Sequence, residues 1–240
     1  MANRFTEPCE AWRQRNGNVH LKIRAALIDM DGTLYDSMPR HSAAWERLAD
    51  EQGWDYKPND FFMHEGRTGR DTIRFYIPDA TLEQTEKLYH RKTEYFNQLP
   101  PVNPMPGAKT MLEELANAQI KRVLVTGSAQ NSLLNRLDTD FPGAFEPGMR
   151  ITARDVRNGK PNPEPFLSAM MLARVWPAQA IVIENAPLGV EAGHASGAFT
   201  VAVNTGPIPG NVLLEAGADI LFPSMQAFAE DLPELLQELS

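Results

Sequence analysis

The chain has 240 residues, a formal net charge of −8 and 42% hydrophobic residues, which is enough for a sizeable core with one modest insert. The acidic balance and the lack of a long basic run exclude general nucleic-acid binding, and no apolar stretch approaches membrane-spanning length. The one cysteine, Cys9, excludes an internal disulfide and suits a reducing cytoplasm, which is the expected location.

The N-terminal stretch MANRFTEPCEAWRQRNGNVHLK is polar and has no signal-peptide apolar region, so residues 1–18 read as a mobile tail in which Trp12 could dock on the core. The run from Ile23 to Ile28 then reads as a short buried strand. It ends on two acids one residue apart, Asp29 and Asp31, followed by Gly32 and Thr33. Paired acids at the carboxyl end of a buried strand lie where open α/β sheets place their chemistry. Two carboxylates this close ionise together only with help from a cation, which points to a divalent metal. A bare Asp-x-Asp can equally be two solvated loop acids, so the reading depends on later segments.

Residues 37–103 read as an inserted helical unit. SMPRHSAAWERLADEQG gives a helix stopped near Gly53, with His41 and Trp45 at i and i+4 on one face. The loop MHEGRTG carries Glu65 and Arg67, with Arg70 just beyond. DATLEQTEKLYHRKTEYFNQL gives a second helix, with Thr81 as its cap and Lys92 beside Arg91. The return stretch LPPVNPMPG holds four prolines and reads as a stiff linker suited to a pivoting cap.

From Ala108 to Ala118 a helix is expected to pack on the sheet. KRVLVTGS is a second strand, ending in Thr126, Gly127 and Ser128. Ser128 also suits the N-cap of a helix over SAQNSLLNRL, where an anionic phosphoryl group would be favoured. In GKPNPEP, Lys160 lies between Gly159 and Pro161, in a loop stiffened by three prolines. AIVIEN is a third strand, ending in Glu184 and Asn185, and PLGVEAGHASG follows as a helix with small residues against the sheet. Further strands are expected near Thr200 and Ile220. The alternation predicts an α/β fold with a mainly parallel sheet, residues 19–36 and 104–240 forming the core domain and 37–103 the cap.

Taken in order, these segments resemble the four motifs of the haloacid dehalogenase superfamily of aspartate-dependent phosphotransferases. The insert directly after the first motif resembles the β-phosphoglucomutase-like branch, with its Rossmann-like core and small helical cap. FMHEGRTG, GKPNPEP and VIENAPLGVEAGHASGAFTVAVNTGP resemble most the inorganic pyrophosphatases of that branch. The resemblance implies Asp29 as nucleophile and Asp31 as general acid and base, with its backbone carbonyl on Mg²⁺. It also implies phosphoryl donors at Thr126, Gly127 and Ser128, and charge compensation by Lys160. His41, Arg67 and Lys92 are the implied substrate contacts from the cap. The implied Mg²⁺ ligands are Asp29, Asp31, Asn185, Glu184 and the cap acid Glu65.

Two departures from the family pattern bear on substrate. Asn185 stands where many relatives have a second acid, and Glu65 stands where sugar-phosphate mutases carry a lysine, with Gly69 in place of their later arginine. The expected activity is therefore Mg²⁺-dependent hydrolysis of a small phosphorylated substrate, pyrophosphate foremost, with no nucleic acid, membrane or obligate protein partner. The rivals are β-phosphoglucomutase, a phosphatase of small sugar or alcohol phosphates, and an inactive phosphate-binding protein. Dehalogenation, which needs no metal and does not use the second aspartate, is disfavoured.

Overall fold

The structure is a computed structural model and describes residues 3–17, 20–128 and 131–240, apart from the side chain of Asn131. Every residue of β1, Ala25–Ile28, is buried. The other strands are β2 (Lys121–Val125), β3 (Arg150–Ile151), β4 (Ala180–Glu184), β5 (Phe199–Val203) and β6 (Ile220–Phe222). They form one six-stranded sheet in the order β3-β2-β1-β4-β5-β6, with every neighbouring pair parallel.

Alternate residues of β1 divide between two cores, as the two-residue period of a strand requires. Ala26 and Ile28 join Met111, Leu115, Phe228 and Leu232, while Ala25 and Leu27 join Phe166, Ala169 and Met170. The first four lie on α6 (Ala108–Asn117) and α12 (Met225–Glu238), and the last three on α9 (Glu164–Ala173). α10 (Pro187–Ala195) packs on β4 and β5, and α11 (Gly210–Glu215) on β6. Helices therefore cover both faces, which explains why the strands are apolar runs rather than alternating ones. The chain runs outward from β1 to β2 and β3, then returns to β4 on the other side of β1. The carboxyl ends of β1, β2 and β4 thus meet at the switch point of the sheet.

Four helices lie between β1 and α6: α2 (Met38–Gln52), α3 (Asp60–Met63), α4 (Gly69–Tyr76) and α5 (Leu82–Asn97). α2 packs along α5. Gly53 ends α2 at φ 66°, the left-handed conformation that a residue without Cβ adopts at least cost. Thr81 starts α5 with a reciprocal cap. Its Oγ1 accepts from the Gln84 N–H at 3.2 Å, and the Gln84 side chain accepts from the Thr81 N–H at 2.9 Å.

Three features differ from the sequence expectation. The segment expected as a mobile tail contains α1 (Thr6–Arg15), with Phe5, Cys9 and Trp12 buried. Trp12 meets Phe199 edge-on at 5.6 Å and donates its indole N–H to the Gly197 carbonyl at 3.1 Å. Phe5, Cys9 and Trp12 are spaced i, i+4, i+7, a helical stripe that the surrounding polar residues dilute. Second, the helix expected after Ser128 is two short pieces, α7 (Asn131–Leu134) and α8 (Leu137–Asp140), and residues 129–130 of that expected helix lie outside the described residues. Third, β3 was not expected, because two paired residues carry no periodicity. No helix among the described residues is long and apolar enough to cross a membrane.

Candidate active site

β1, β2 and β4 deliver Asp29, Thr126 and Glu184–Asn185 to one point, and the loop before α9 brings Lys160 to it. Lys160 is buried, and its ammonium donates to Asp29 Oδ1 at 2.6 Å, Glu184 Oε1 at 2.5 Å and the Val125 carbonyl at 3.1 Å. All three of its protons are thereby used. Burial opposes its charge, but Asp29 and Glu184 outweigh that and raise its pKa above the ordinary lysine value. Burial, and then repulsion from Glu184, holds Asp29 well above the usual carboxylate range, with Lys160 acting in the other direction.

Glu184 was expected as a metal ligand. Its Oε1 meets Lys160, and its Oε2 accepts the backbone N–H of Asn185 at 3.0 Å. Its partners in the structure make it the support that fixes Lys160 beside Asp29. A Cβ at Gly189 would overlap the Glu184 carboxylate, so α10 needs glycine there to let the acid sit under the helix.

Asp31 lies beside the pair with a different set of partners. Ser37 Oγ donates to its Oδ1 at 2.6 Å, and His41 Nε2 stands 3.0 Å from the same oxygen. Burial would raise the Asp31 pKa, but His41, Ser37 and Lys92 together lower it, so the group is a carboxylate and accepts only. Burial, and then Lys92, lower the pKa of His41. A neutral His41 giving its Nε2 proton to Asp31 has a bare Nδ1, and Lys92 Nζ lies 2.5 Å from that atom. Lys92 therefore donates to His41, and His41 to Asp31. Lys92 is buried with its nitrogen 5.2 Å from the ring centres of both Trp45 and Phe96.

Burial pushes Lys92 down to about 7. From there up to the free-lysine value of ~10.4, the unfolded chain holds a proton that the folded chain lacks. Stability contributed by this group is thus lowest below about 7 and rises with pH across that window. Lys92→Met is expected to leave the thermal midpoint at pH 7 unchanged or higher while lowering kcat by roughly ten- to a hundredfold, because His41 loses its donor. Melting curves and steady-state kinetics on the same preparation check it, and a lower midpoint with unchanged kcat would assign Lys92 a purely structural role.

The insert closes over this group. Glu65 is buried, and its Oε1 accepts from Asn185 Nδ2 at 2.8 Å. The other amide atom, Asn185 Oδ1, accepts from Thr33 Oγ1 at 3.3 Å. Burial, reinforced by Asp29, Glu184 and Asp31, raises the Glu65 pKa well above normal, against the Asn185 hydrogen bond. Glycines make the close approach possible. A Cβ at Gly127 would collide with the carbonyl oxygens of Gly66 and Arg67, and one at Gly159 would lie 2.7 Å from the Thr68 methyl. The cavity that remains has about 60 Å³ and is lined by Asp29, Asp31, His41, Glu65, Lys92 and Thr126, among others.

The other expected residues are placed as follows. Thr126 Oγ1 accepts the Ser128 N–H at 3.0 Å, and Gly127 and Ser128 line the cavity. Arg67 lines the cavity as well, but its guanidinium lies 5.3 Å from the ring centre of Phe75, which faces an outer groove. Arg70 pairs with Glu86, and Arg91 with Glu51 and Glu94, away from the centre. Sequence reasoning passed over Ser37, Thr33 and Tyr89. A serine six residues after Asp31 forms no recognisable pattern, and Thr33 reads as turn chemistry beside Gly32.

A family model described as haloacid dehalogenase-like hydrolase matches residues 26–203. The chain belongs to that family. It is an enzyme of the family, and within it falls in the β-phosphoglucomutase-like branch. Hexitol phosphatase A of Escherichia coli is 30% identical over 77% of this chain and 84% of its own length. The phosphorylated carbohydrates phosphatase of Thermotoga maritima is 30% identical over 82% of this chain and 92% of its own. A Bacteroides vulgatus structure provisionally named beta-phosphoglucomutase is 43% identical, covers 98% of both chains and superposes with a TM-score of 0.94. The names of these relatives point to phosphorylated carbohydrates, and none of the three mentions pyrophosphate.

Proposed function

We propose that the chain is a Mg²⁺-dependent phosphohydrolase of a small phosphorylated substrate, with pyrophosphate preferred and residues 37–103 acting as its lid. The single observation that carries this reading is Glu65, buried on the insert and bonded to Asn185 at 2.8 Å above Asp29. An acid at that place repels a second phosphate held by the protein alone, yet favours a cation shared with a compact polyanion.

The donor set fits the cation. Among the described residues no three His, Cys, Asp or Glu side chains form a metal cage. Mg²⁺ rarely uses such a cage, since it keeps several waters and takes one or two carboxylates plus phosphate oxygens. The Asp29 carboxylate, the Asp31 backbone carbonyl and the Asn185 amide oxygen would hold it, with Glu65 adding charge from the lid. Asp29 and Glu184 share the Lys160 ammonium, and burial with repulsion among the neighbouring acids holds Asp29 and Glu65 well above the usual carboxylate range, a repulsion that a divalent cation would relieve. When bound, Mg²⁺ screens the phosphoryl charge from the nucleophile.

Asp29 attacks phosphorus and becomes an aspartyl-phosphate while the leaving oxygen departs. Lys160 keeps Asp29 ionised and aimed despite its raised pKa. Asp31 is ionised in the structure, but a polyanion arriving beside it raises its proton affinity, so it takes up a proton from solvent and passes that proton to the leaving oxygen. Ionised again, it takes the proton of the water that attacks the aspartyl-phosphate. Thr126 and Ser128 supply the donors for the phosphoryl oxygens.

The test is kcat/KM for pyrophosphate, hexose 6-phosphates, hexitol phosphates and glycerol phosphate, with and without chelator, beside a coupled mutase assay. Glu65→Ala is expected to lower pyrophosphate turnover at least tenfold and to affect slow monoesters less. Equal losses on both substrate types would return Glu65 to a packing role.

The names of the relatives favour a second reading, a phosphatase of small phosphorylated carbohydrates. Tyr89 and Gly69 line both the catalytic cavity and an outer cavity of about 460 Å³, and a Cβ at Gly69 would overlap the Tyr89 ring. The ring thus stands as a wall between the two spaces. Under the pyrophosphate reading, Tyr89→Ala joins the cavities and is expected to raise kcat/KM for hexose phosphates about tenfold or more. Wild-type activity highest on a carbohydrate phosphate, with no gain in the variant, would establish the second reading instead.

A further inference from the structure

A groove of about 630 Å³ runs outside the catalytic cavity, between α4 of the insert and the core loop that carries Lys160. Arg67, Arg74 and Phe75 line its insert side, and Arg157, Asn158 and Asn162 its core side. The Lys160 ammonium is committed inward to Asp29 and Glu184, and so takes no part in the groove. The one acid in the lining, Asp71, accepts from Thr68 Oγ1 at 2.6 Å at the start of α4. Among the described residues none of the three guanidinium groups has a carboxylate partner within 4.0 Å. The Nε of Arg67 is buried and has no hydrogen-bond partner, with the guanidinium laid over Phe75.

The two sides of this groove meet at its floor. Gly159 lies so close to Thr68 and Asp71 that a Cβ there would need the insert to move. The three arginines therefore stand together only while the insert is down on the core. The Asn158 amide is already given to Glu164 Oε2 at 2.8 Å, so the donors left are the guanidinium groups, and three of them with no carboxylate within 4.0 Å suit a tetrahedral oxyanion, which accepts paired N–H donors from each fork.

We propose that this groove is a second anion site, beside the catalytic cavity that Arg67 also lines, which takes a phosphate-type dianion bridging Arg67 and Arg74 of the insert to Arg157 of the core. An anion held from both sides binds the closed arrangement and not the open one. It therefore shifts the population toward closure by as much as that difference in affinity. The site does not depend on which phosphorylated compound is hydrolysed.

The test is calorimetric titration of the wild-type chain with inorganic phosphate in Mg²⁺, compared with the double variant R74E/R157E. Two sites are expected in the wild type, the second weakening as ionic strength rises. The double variant should keep the catalytic site and lose the second, with affinity there down at least tenfold. Hydrolysis of p-nitrophenyl phosphate at low phosphate should be unchanged, since neither residue touches the catalytic cavity. Phosphate above the affinity of the second site should slow trypsin cleavage of the insert in wild type and not in the variant. One site in wild type, or two undiminished sites in the variant, would overturn the proposal. R74Q/R157Q provides the same reading if charge reversal impairs folding.

Discussion

An Asp29→Asn variant is expected to fold like the parent chain and to lose activity by a factor on the order of 10⁴ or more. In the proposed mechanism this carboxylate bonds to phosphorus, and a neutral amide has no comparable nucleophilicity. The fold should tolerate the change, because the amide oxygen can still accept from Lys160, and the repulsion from Glu184 that helps raise Asp29 disappears. The expected shift in stability is within about 1 kcal/mol of the parent. Phosphate release measured beside a urea titration separates the two effects. Substantial turnover in a clean preparation would remove Asp29 from the role of nucleophile.

Lys160→Met should damage both properties at once. The ammonium touches two buried carboxylates, Asp29 at 2.6 Å and Glu184 at 2.5 Å, and its loss leaves them facing each other without compensation. Removing one partner from a buried ionic cluster costs roughly 3–5 kcal/mol. The pH dependence has a definite sign. The raised Asp29 pKa rises further without Lys160, so proton uptake relieves the variant, and its deficit should shrink as pH falls. In the parent chain, the raised Lys160 pKa contributes stability that is fully present below the free-lysine value and is lost only as pH climbs through the higher folded value. Denaturant midpoints at acid, neutral and mildly alkaline pH check this. A deficit constant across that range would show that packing rather than charge holds Lys160 in place.

The residues easiest to find in the sequence are those placed by a strand end. Asp29, Thr126 and Glu184 each follow an apolar run, and parallel pairing of β1 with β2 and β4 brings those ends together. Lys160 could be found because glycine and prolines flank it. Other contacts depend on tertiary placement and leave no local trace. Ser37 reaches back to Asp31, Thr205 donates to the Gly32 carbonyl at 2.6 Å, and Tyr89 meets Gly69 across the insert. α1 was missed for the opposite reason: its apolar stripe exists, but six of its ten residues are polar or charged, and only docking on Phe199 and Phe222 reveals the buried face. Substrate choice is the least legible property, since relatives sharing the same core motifs are named for different phosphorylated compounds.

The burial of Cys9 has a practical consequence for measuring motion. The only thiol of the chain lies on the buried face of α1, and burial pushes its pKa up to about 12. A thiol so rarely ionised reacts slowly with maleimides near neutrality. Cysteines introduced at exposed positions, such as Asp79 on the insert and Glu146 on the core, could thus be tagged with a dye pair while Cys9 stays in place. Single-molecule energy transfer between those dyes would then test directly whether the insert opens and closes as proposed, in a chain whose own sulfur chemistry stays silent.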